Sequence, residues 1–284
     1  MKGQAMNLQK TITSFAQKSG IIAGICNATP LDPKQFANFT PFVSGDISKR
    51  TTPQKILPTA KTIIAIGVPQ KLLENPQLKG KMQISTLGIC EDYHIYVKSH
   101  LQELANELST YADFKHKILV DSPTLCERSF AMRAGIGYMG KHGLLISKEF
   151  GTRFNIGLLL TSLPQIKTEY ENIKTPTRTC PENCNKCITA CPTNALSPTA
   201  PLDVTRCLSY LTQKKELTPQ EVKLMQTQIY GCDICQNVCP KNTPHDGYFI
   251  DPKDVAKLDI TKTAAAWRGK EILQRNADIV SSNE

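Results

Sequence analysis

The sequence predicts an α/β protein with a small cysteine-rich domain attached, and three observations carry that expectation. In residues 1–174, apolar β-branched runs alternate with amphipathic stretches, the pattern of a sheet with helices packed on it. Eight of the eleven cysteines fall between Cys180 and Cys239. The texture changes at Lys174–Arg178 (KTPTR), after which Cys, Pro and Asn are prominent as far as Asn242.

The elements follow in order. Residues 7–19 space their apolar side chains as an amphipathic helix, and IIAGIC is a strand ending at Cys26. LPTAKTIIAIGVP is a second strand, ending at Pro69. In EDYHIYVKSHLQELANELSTYA, Val97, Leu101, Leu104, Ala105 and Leu108 recur every three or four residues and so share one helix face. HKILVD is a buried strand ending at Asp121; after a turn at Pro123, CERSFAMRAG is a helix that stops at Gly135. LLIS and NIGLLLTSLP are two further short strands, while Leu217–Tyr230 and Val255–Val280 read as helical. The expected domains are 1–174, 175–245 with metal as its core, and a segment 246–284 that packs back on the body.

With 284 residues the chain can bury a substantial core without disulfide staples. Its N-terminus, MKGQAMNLQKTITSFAQKSG, lacks the apolar run of a signal peptide, and no run approaches the ~20 residues that span a bilayer. A reducing cytoplasm is therefore expected, where clustered cysteines mean metal or redox chemistry. The net charge of +9 is uneven: residues 1–178 hold 22 Lys and Arg against 13 Asp and Glu, and residues 179–284 hold 12 of each. Such a bias favours a polyanion such as RNA or an anionic cofactor, as well as being compatible with a solvated basic surface.

The cysteine spacing is specific. Cys180-x3-Cys184-x2-Cys187-x3-Cys191-Pro192 and Cys232-x2-Cys235-x3-Cys239-Pro240 resemble the paired motifs of two-cluster ferredoxins, in which the cysteine after x3 ligates the other cluster. The first motif has one residue too many in its first gap, which a loop carrying Pro181 can absorb. The second lacks its first thiolate, because that slot falls on Ile229. Cluster one therefore takes Cys180, Cys184, Cys187 and the crossing Cys239; cluster two takes Cys232, Cys235, the crossing Cys191 and Cys207, the remaining cysteine between the motifs. Cys26, Cys90 and Cys126 are left as separate thiols. Two zinc sites with four thiolates each are the competing reading, but the doubled motif is the more specific signal.

These motifs belong to a larger set. YGCDICQNVCPKN, RCLSYLT, the first cysteine motif, the DYH of Asp92–His94 and VDSPTLCERSFAMRAGIGYMGKHGLLIS together resemble the epoxyqueuosine reductase family. The likeness continues through RTTPQKILPTAKTIIAIGVP and AWRGKEILQRNADI and so covers most of the chain. That resemblance implies two 4Fe-4S clusters, a cobalamin bound without histidine on cobalt, and reduction of an epoxide in a modified tRNA nucleoside, fed by an external low-potential electron donor. It makes the fold a corrinoid-binding α/β domain joined to a ferredoxin-like two-cluster domain. The histidine-on signature D-x-H-x-x-G is met at Asp92 and His94 but has Val97 in place of its glycine. By position in the motif, Asp121 matches the family's proton donor, though a strand-end Asp can simply cap the Pro123 turn.

Asp92, Tyr93, His94, Arg128, Arg133, Lys141 and His142 are candidate contacts to the corrin, its phosphate or tRNA phosphates, each with an ordinary structural alternative. Gly135, Gly137 and Gly140 spell a dinucleotide fingerprint, but they follow a helix rather than a strand, so NAD is excluded and close approach of backbone to a flat macrocycle is expected instead. Tyr138 either covers it or is an ordinary core tyrosine. Family members often continue beyond the pair at Arg275 and Asn276 into helical repeats, and this chain departs from the pattern at GVPQ and at Lys148–Asn155. A corrinoid reductase of a small molecule and a two-cluster electron carrier are the alternative functions.

Overall fold

The computed structural model describes residues 7–36, 46–73, 79–165 and 180–282. The strands are β1 (Ile22–Asn27), β2 (Thr62–Pro69), β3 (Met82–Ile84), β4 (His116–Leu119), β5 (Tyr138–Met139), β6 (Leu145–Ile146), β7 (Phe154–Thr161), β8 (Gln228–Tyr230) and β9 (Tyr248–Ile250). The α-helices are α1 (Leu8–Ser19), α2 (Ile47–Thr51), α3 (Thr86–Ile89), α4 (Tyr93–Ser109), α5 (Glu127–Arg133), α6 (Lys186–Ala190), α7 (Leu208–Leu211), α8 (Pro219–Val222), α9 (Ile234–Asn237) and α10 (Lys270–Ser282). Among the described residues no helix is long and apolar enough to cross a membrane.

These elements form two compact units, which interleave along the chain. The first gathers the described residues among 1–69, 94–140 and 144–179; the second gathers those among 70–93, 141–143 and 180–284. The linear domains expected from the sequence are thus revised in two places. The described residues among 70–93 and residues 141–143 leave the first predicted domain for the second unit, and residues 246–282 are part of that unit rather than a separate segment. The KTPTR boundary lies outside the described residues.

In the first unit the sheet order is β1-β2-β7-β4, and every pairing is antiparallel, with Thr62 opposite Thr161 and Pro69 opposite Phe154. Strand β2 is buried on both faces from Thr62 to Val68, so its apolar run is continuous instead of alternating. One face, carrying Ile66 and Gly157, receives α4: a Cβ on Gly157 would lie 2.6 Å from Val97 and 2.7 Å from Leu101. Val97, Leu101, Leu104, Ala105 and Leu108 are all fully buried, as their spacing predicts, and each large one contributes about 1.5–3 kcal/mol through burial. The other face, carrying Ile63, Ala65, Leu158 and Leu160, packs on Phe130, Ala131 and Met132 of α5. The sheet therefore carries the α4 N-terminus and the β4–α5 turn, which hold His94 and Asp121.

The second unit has a sheet that the sequence reading missed, ordered β8-β3-β9, with β3 parallel to β8 and antiparallel to β9. The predicted helix Leu217–Tyr230 is broken: α8 ends at Val222 and Gln228–Tyr230 is strand β8. Likewise Val255–Val280 is two short 3-10 turns followed by α10. Met82, Ile84, Ile229, Tyr230, Tyr248, Ile250, Leu273, Ala277 and Val280 make an apolar core, so metal is not the only core this unit has. Asn276, fully buried in α10, donates to the carbonyls of Thr212 and Ile229 at 2.8 Å each, and Arg275 donates to Lys214 O at 2.8 Å. The Arg-Asn pair thereby staples α10 to the sheet.

Candidate functional site

In the second unit the two x2 cysteine pairs lie at helix starts. Cys184 precedes α6 and Cys187 is inside its first turn; Cys232 precedes α9 and Cys235 is inside its first turn. The x2 spacing thus presents two thiols at one helix end in each motif, and the two helices pack against each other. Burial raises the pKa of Cys187, and the charges of Cys180, Cys184 and Cys239 raise it further. Cys239 is raised by burial and then by Cys180 and Cys184. In the second group burial pushes Cys232 up to about 12, with Cys207 and Cys191 adding to it. Cys235 is raised well above the ordinary thiol range by burial, Cys232 and Cys207, with a smaller contribution from Cys187. Cys180, Cys184, Cys187 and Cys239 are thus near enough to perturb one another, and so are Cys191, Cys207, Cys232 and Cys235.

Four thiolates so placed repel one another, and a positively charged metal core is what relieves such repulsion, so the donor set fits an iron–sulfur cluster. Among the described residues no three His, Cys, Asp or Glu side chains converge as they would on one ion. Around zinc, bonds of ~2.3 Å bring tetrahedral sulfurs to about 3.8 Å of one another, closer than the thiolates of an iron–sulfur cube. Ile229 now has a reason: it is fully buried in β8, so its slot belongs to the apolar core. Cys207 caps α7 instead, and Arg206 Nε donates to Thr193 O at 2.7 Å, joining the Cys207 turn to the loop after Cys191.

In the first unit Asp121 sits just beyond β4 with φ +48, a left-handed conformation that is uncommon outside glycine and that Asp tolerates better than most. Its carboxylate is open to solvent, 71% exposed, and lies 3.9 Å from His94 Nε2. Glu127, which the sequence reading passed over, holds this turn: Ser122 N donates to Glu127 Oε1 at 2.9 Å, and the Asp121 N–H donates to the same carboxyl. Burial pushes Glu127 up to about 8, with the Asp121 charge adding to it, so the raised carboxyl here is Glu127. Arg128 touches solvent and yet is crowded by Asp121, Glu127, Arg50 and Cys126; desolvation lowers its pKa. Arg50 is a second residue not singled out beforehand. Its carbonyl accepts from Cys126 N at 2.9 Å, and the signal that pointed to it was its place at the head of RTTPQKILPTAK.

Several other predicted site residues have internal partners. Arg133 donates to Thr29 O, lies over the Phe130 ring and neighbours buried Cys26, so it clamps α5 to β1. Gly135 has φ +81 and ends α5, while a Cβ on Gly137 would meet Ile146 O at 2.8 Å across the β5–β6 pair. Both glycines are thus required by the backbone itself. Gly140 donates to Leu144 O at 2.9 Å in the following turn, and Tyr138 pairs with Ile146. Lys141 is turned to the first cysteine loop, not held for a phosphate. His142 is buried in the second unit. The DYH triplet straddles the division between units: Asp92 N donates to Lys262 O at 2.8 Å and Tyr93 is buried, both in the second unit, and His94 belongs to the first. Cys26, Cys90 and Cys126 are buried single thiols, raised in pKa chiefly by burial.

Paired cysteine loops at helix starts, with the spacing of a double cluster, define an iron–sulfur protein of the two-cluster class. Residues 179–242 match the family described as a 4Fe-4S double cluster binding domain, and residues 50–122 match that described as epoxyqueuosine reductase QueG, DUF1730. The chain is 34% identical over 276 residues to an epoxyqueuosine reductase of Lactococcus garvieae, covering 88% of this chain and 76% of the relative. The structure of epoxyqueuosine reductase from Streptococcus thermophilus superposes with a TM-score of 0.81 at 33% identity, covering 98% of this chain and 82% of that one. A crystal structure of epoxyqueuosine reductase with an epoxyqueuosine-modified tRNA-Tyr stem loop superposes with a TM-score of 0.80 at 27% identity, covering 96% of this chain and 80% of that one. The chain belongs to the epoxyqueuosine reductase family, and it is an oxidoreductase.

Proposed function

We propose that this protein reduces epoxyqueuosine to queuosine in tRNA, with two 4Fe-4S clusters supplying electrons one at a time. The observation that carries the reading is that one chain of this family holds both the Asp121 turn and two crowded sets of four thiols. Cluster one is assigned to Cys180, Cys184, Cys187 and Cys239, and cluster two to Cys191, Cys207, Cys232 and Cys235. Converting the epoxide to an alkene consumes two electrons and two protons and releases the oxygen as water. A base-off cobalamin, when bound, supplies low-valent cobalt for that two-electron step. Val97 supports binding without histidine on cobalt, because the position that the histidine-on signature reserves for glycine is a buried helix residue.

Asp121 is the proton donor to the epoxide oxygen. Its exposure lets it meet a substrate, and the Glu127 bonds fix the turn that presents it. His94 Nε2 lies 3.9 Å from its carboxylate, at the edge of the same turn. Arg128 supplies positive charge beside the same turn, suited to an anionic substrate or cofactor edge. The excess of basic residues in 1–178 favours tRNA as partner, in the cytoplasm where tRNA is modified. The test is nucleoside mass spectrometry of tRNA from a strain lacking this protein. Epoxyqueuosine should accumulate and disappear on complementation; unchanged queuosine would remove the proposed substrate.

A further inference from the structure

The first cysteine loop is one residue longer than the ferredoxin pattern, and the fold absorbs the extra residue in a defined way. Cys184 N donates to Pro181 O at 3.0 Å, closing a turn between the first two cysteines. One ammonium gathers that turn: Lys141 Nζ donates to Glu182 O at 2.9 Å, Cys184 O at 3.0 Å and Asn185 Oδ1 at 3.2 Å, with Pro181 O at 3.4 Å. The Lys141 backbone N–H points at Cys180 Sγ, 3.4 Å away. A lysine ammonium has three N–H bonds, so this group is committed to the loop.

We propose that Lys141 is a positioning residue for the first cluster and raises that cluster's reduction potential. The proposal rests on the assignment of Cys180, Cys184, Cys187 and Cys239 to that cluster. The physical reason has two parts. Without a cation, carbonyl oxygens converging beside the cluster would present negative potential, which disfavours adding an electron; the ammonium reverses its sign. The peptide N–H aimed at Cys180 sulfur favours the more electron-rich, reduced state, because hydrogen bonds to ligating sulfur tune such clusters. The inserted residue and the lysine thus act together: the longer loop creates the carbonyl nest, and Lys141 fills it. Removing the side chain should leave the N–H in place and take away the charge.

The test uses the full chain, purified anaerobically, with spectroscopically monitored redox titration of wild type, K141M and K141Q. C207S, which weakens the second cluster, assigns the two signals. In K141M the first cluster should become harder to reduce by about tenfold in equilibrium constant, about 59 mV for one electron, with the second unchanged. Selective loss of half the iron, from the first cluster, equally supports the positioning role. Two intact clusters at wild-type potentials in K141M and K141Q would overturn the proposal; should K141M fail to accumulate, K141Q is judged by the same criterion. A wild-type protein without two iron–sulfur signals would instead overturn the ligand assignment, so the two failures are separable.

Discussion

The Asp121 turn and the cysteine loops solve opposite electrostatic problems. The thiols are half-buried to buried and crowded, and burial with neighbouring thiolate charge raises Cys187, Cys232, Cys235 and Cys239. Asp121 is exposed, and its backbone, not its charge, is what the fold restrains, through a left-handed φ and two N–H groups held by Glu127. Metal centres can be written into covalent spacing because a helix start with x2 spacing delivers two donors together. A proton donor must instead be aimed, and aim depends on what packs around the turn.

That contrast can be broken most severely at the cysteines. Cys235→Ser should lose one cluster, halve the iron content and abolish turnover, because three thiolates and an alcohol hold the cube poorly; retention of full iron would refute its ligand role. Asp121→Asn should leave both cluster spectra unchanged and lower turnover about 10²–10⁴-fold, as loss of a general acid does. Full activity in Asp121→Asn would refute its role. Leu101→Ala tests the platform beneath the turn: a fully buried α4 side chain lost against Gly157 should cost about 2–5 kcal/mol in denaturant unfolding, with iron content unchanged.

A last effect, spread over several pH units, is the pH dependence of Glu127. Its pKa rises from an ordinary 4.5 to about 8 in the fold, so between those values the folded protein holds a proton that the unfolded chain lacks. Its contribution is fully present below pH 4.5 and is lost as pH rises through about 8. Wild-type stability should therefore fall across that window by at most about 1.4 kcal/mol per pH unit from this group. Glu127→Gln cannot ionise and should lack that slope; parallel stability curves for the two proteins would show that Glu127 titrates normally.

Much of this was legible beforehand where the signal is local. The α4 face was read from its period, and the double-cluster domain from its cysteine spacing. The backbone reasons for Gly135 and Gly137 were not legible, because a helix stop and a strand contact look, in sequence, like any glycine-rich turn. Lys141 reads in sequence as a contact to corrin, to a phosphate or to solvent alone, because a lone lysine carries no mark of its partner. Glu127 and Arg50 were missed for the same reason: neither has a periodic or paired signature.

The sequence by itself determined the periodic helix face, the apolar strands and the paired cysteine spacing, since each depends on residues a few positions apart. Only tertiary structure decided that Met82–Ile84 joins Gln228–Tyr230 in a parallel pair, that Ile229 belongs to a core, and that Lys141 closes a loop beginning at Cys180. Those choices join segments tens to more than a hundred residues apart. They are settled by which apolar faces and unpaired carbonyls find partners once the chain has collapsed, information that no short window of sequence contains.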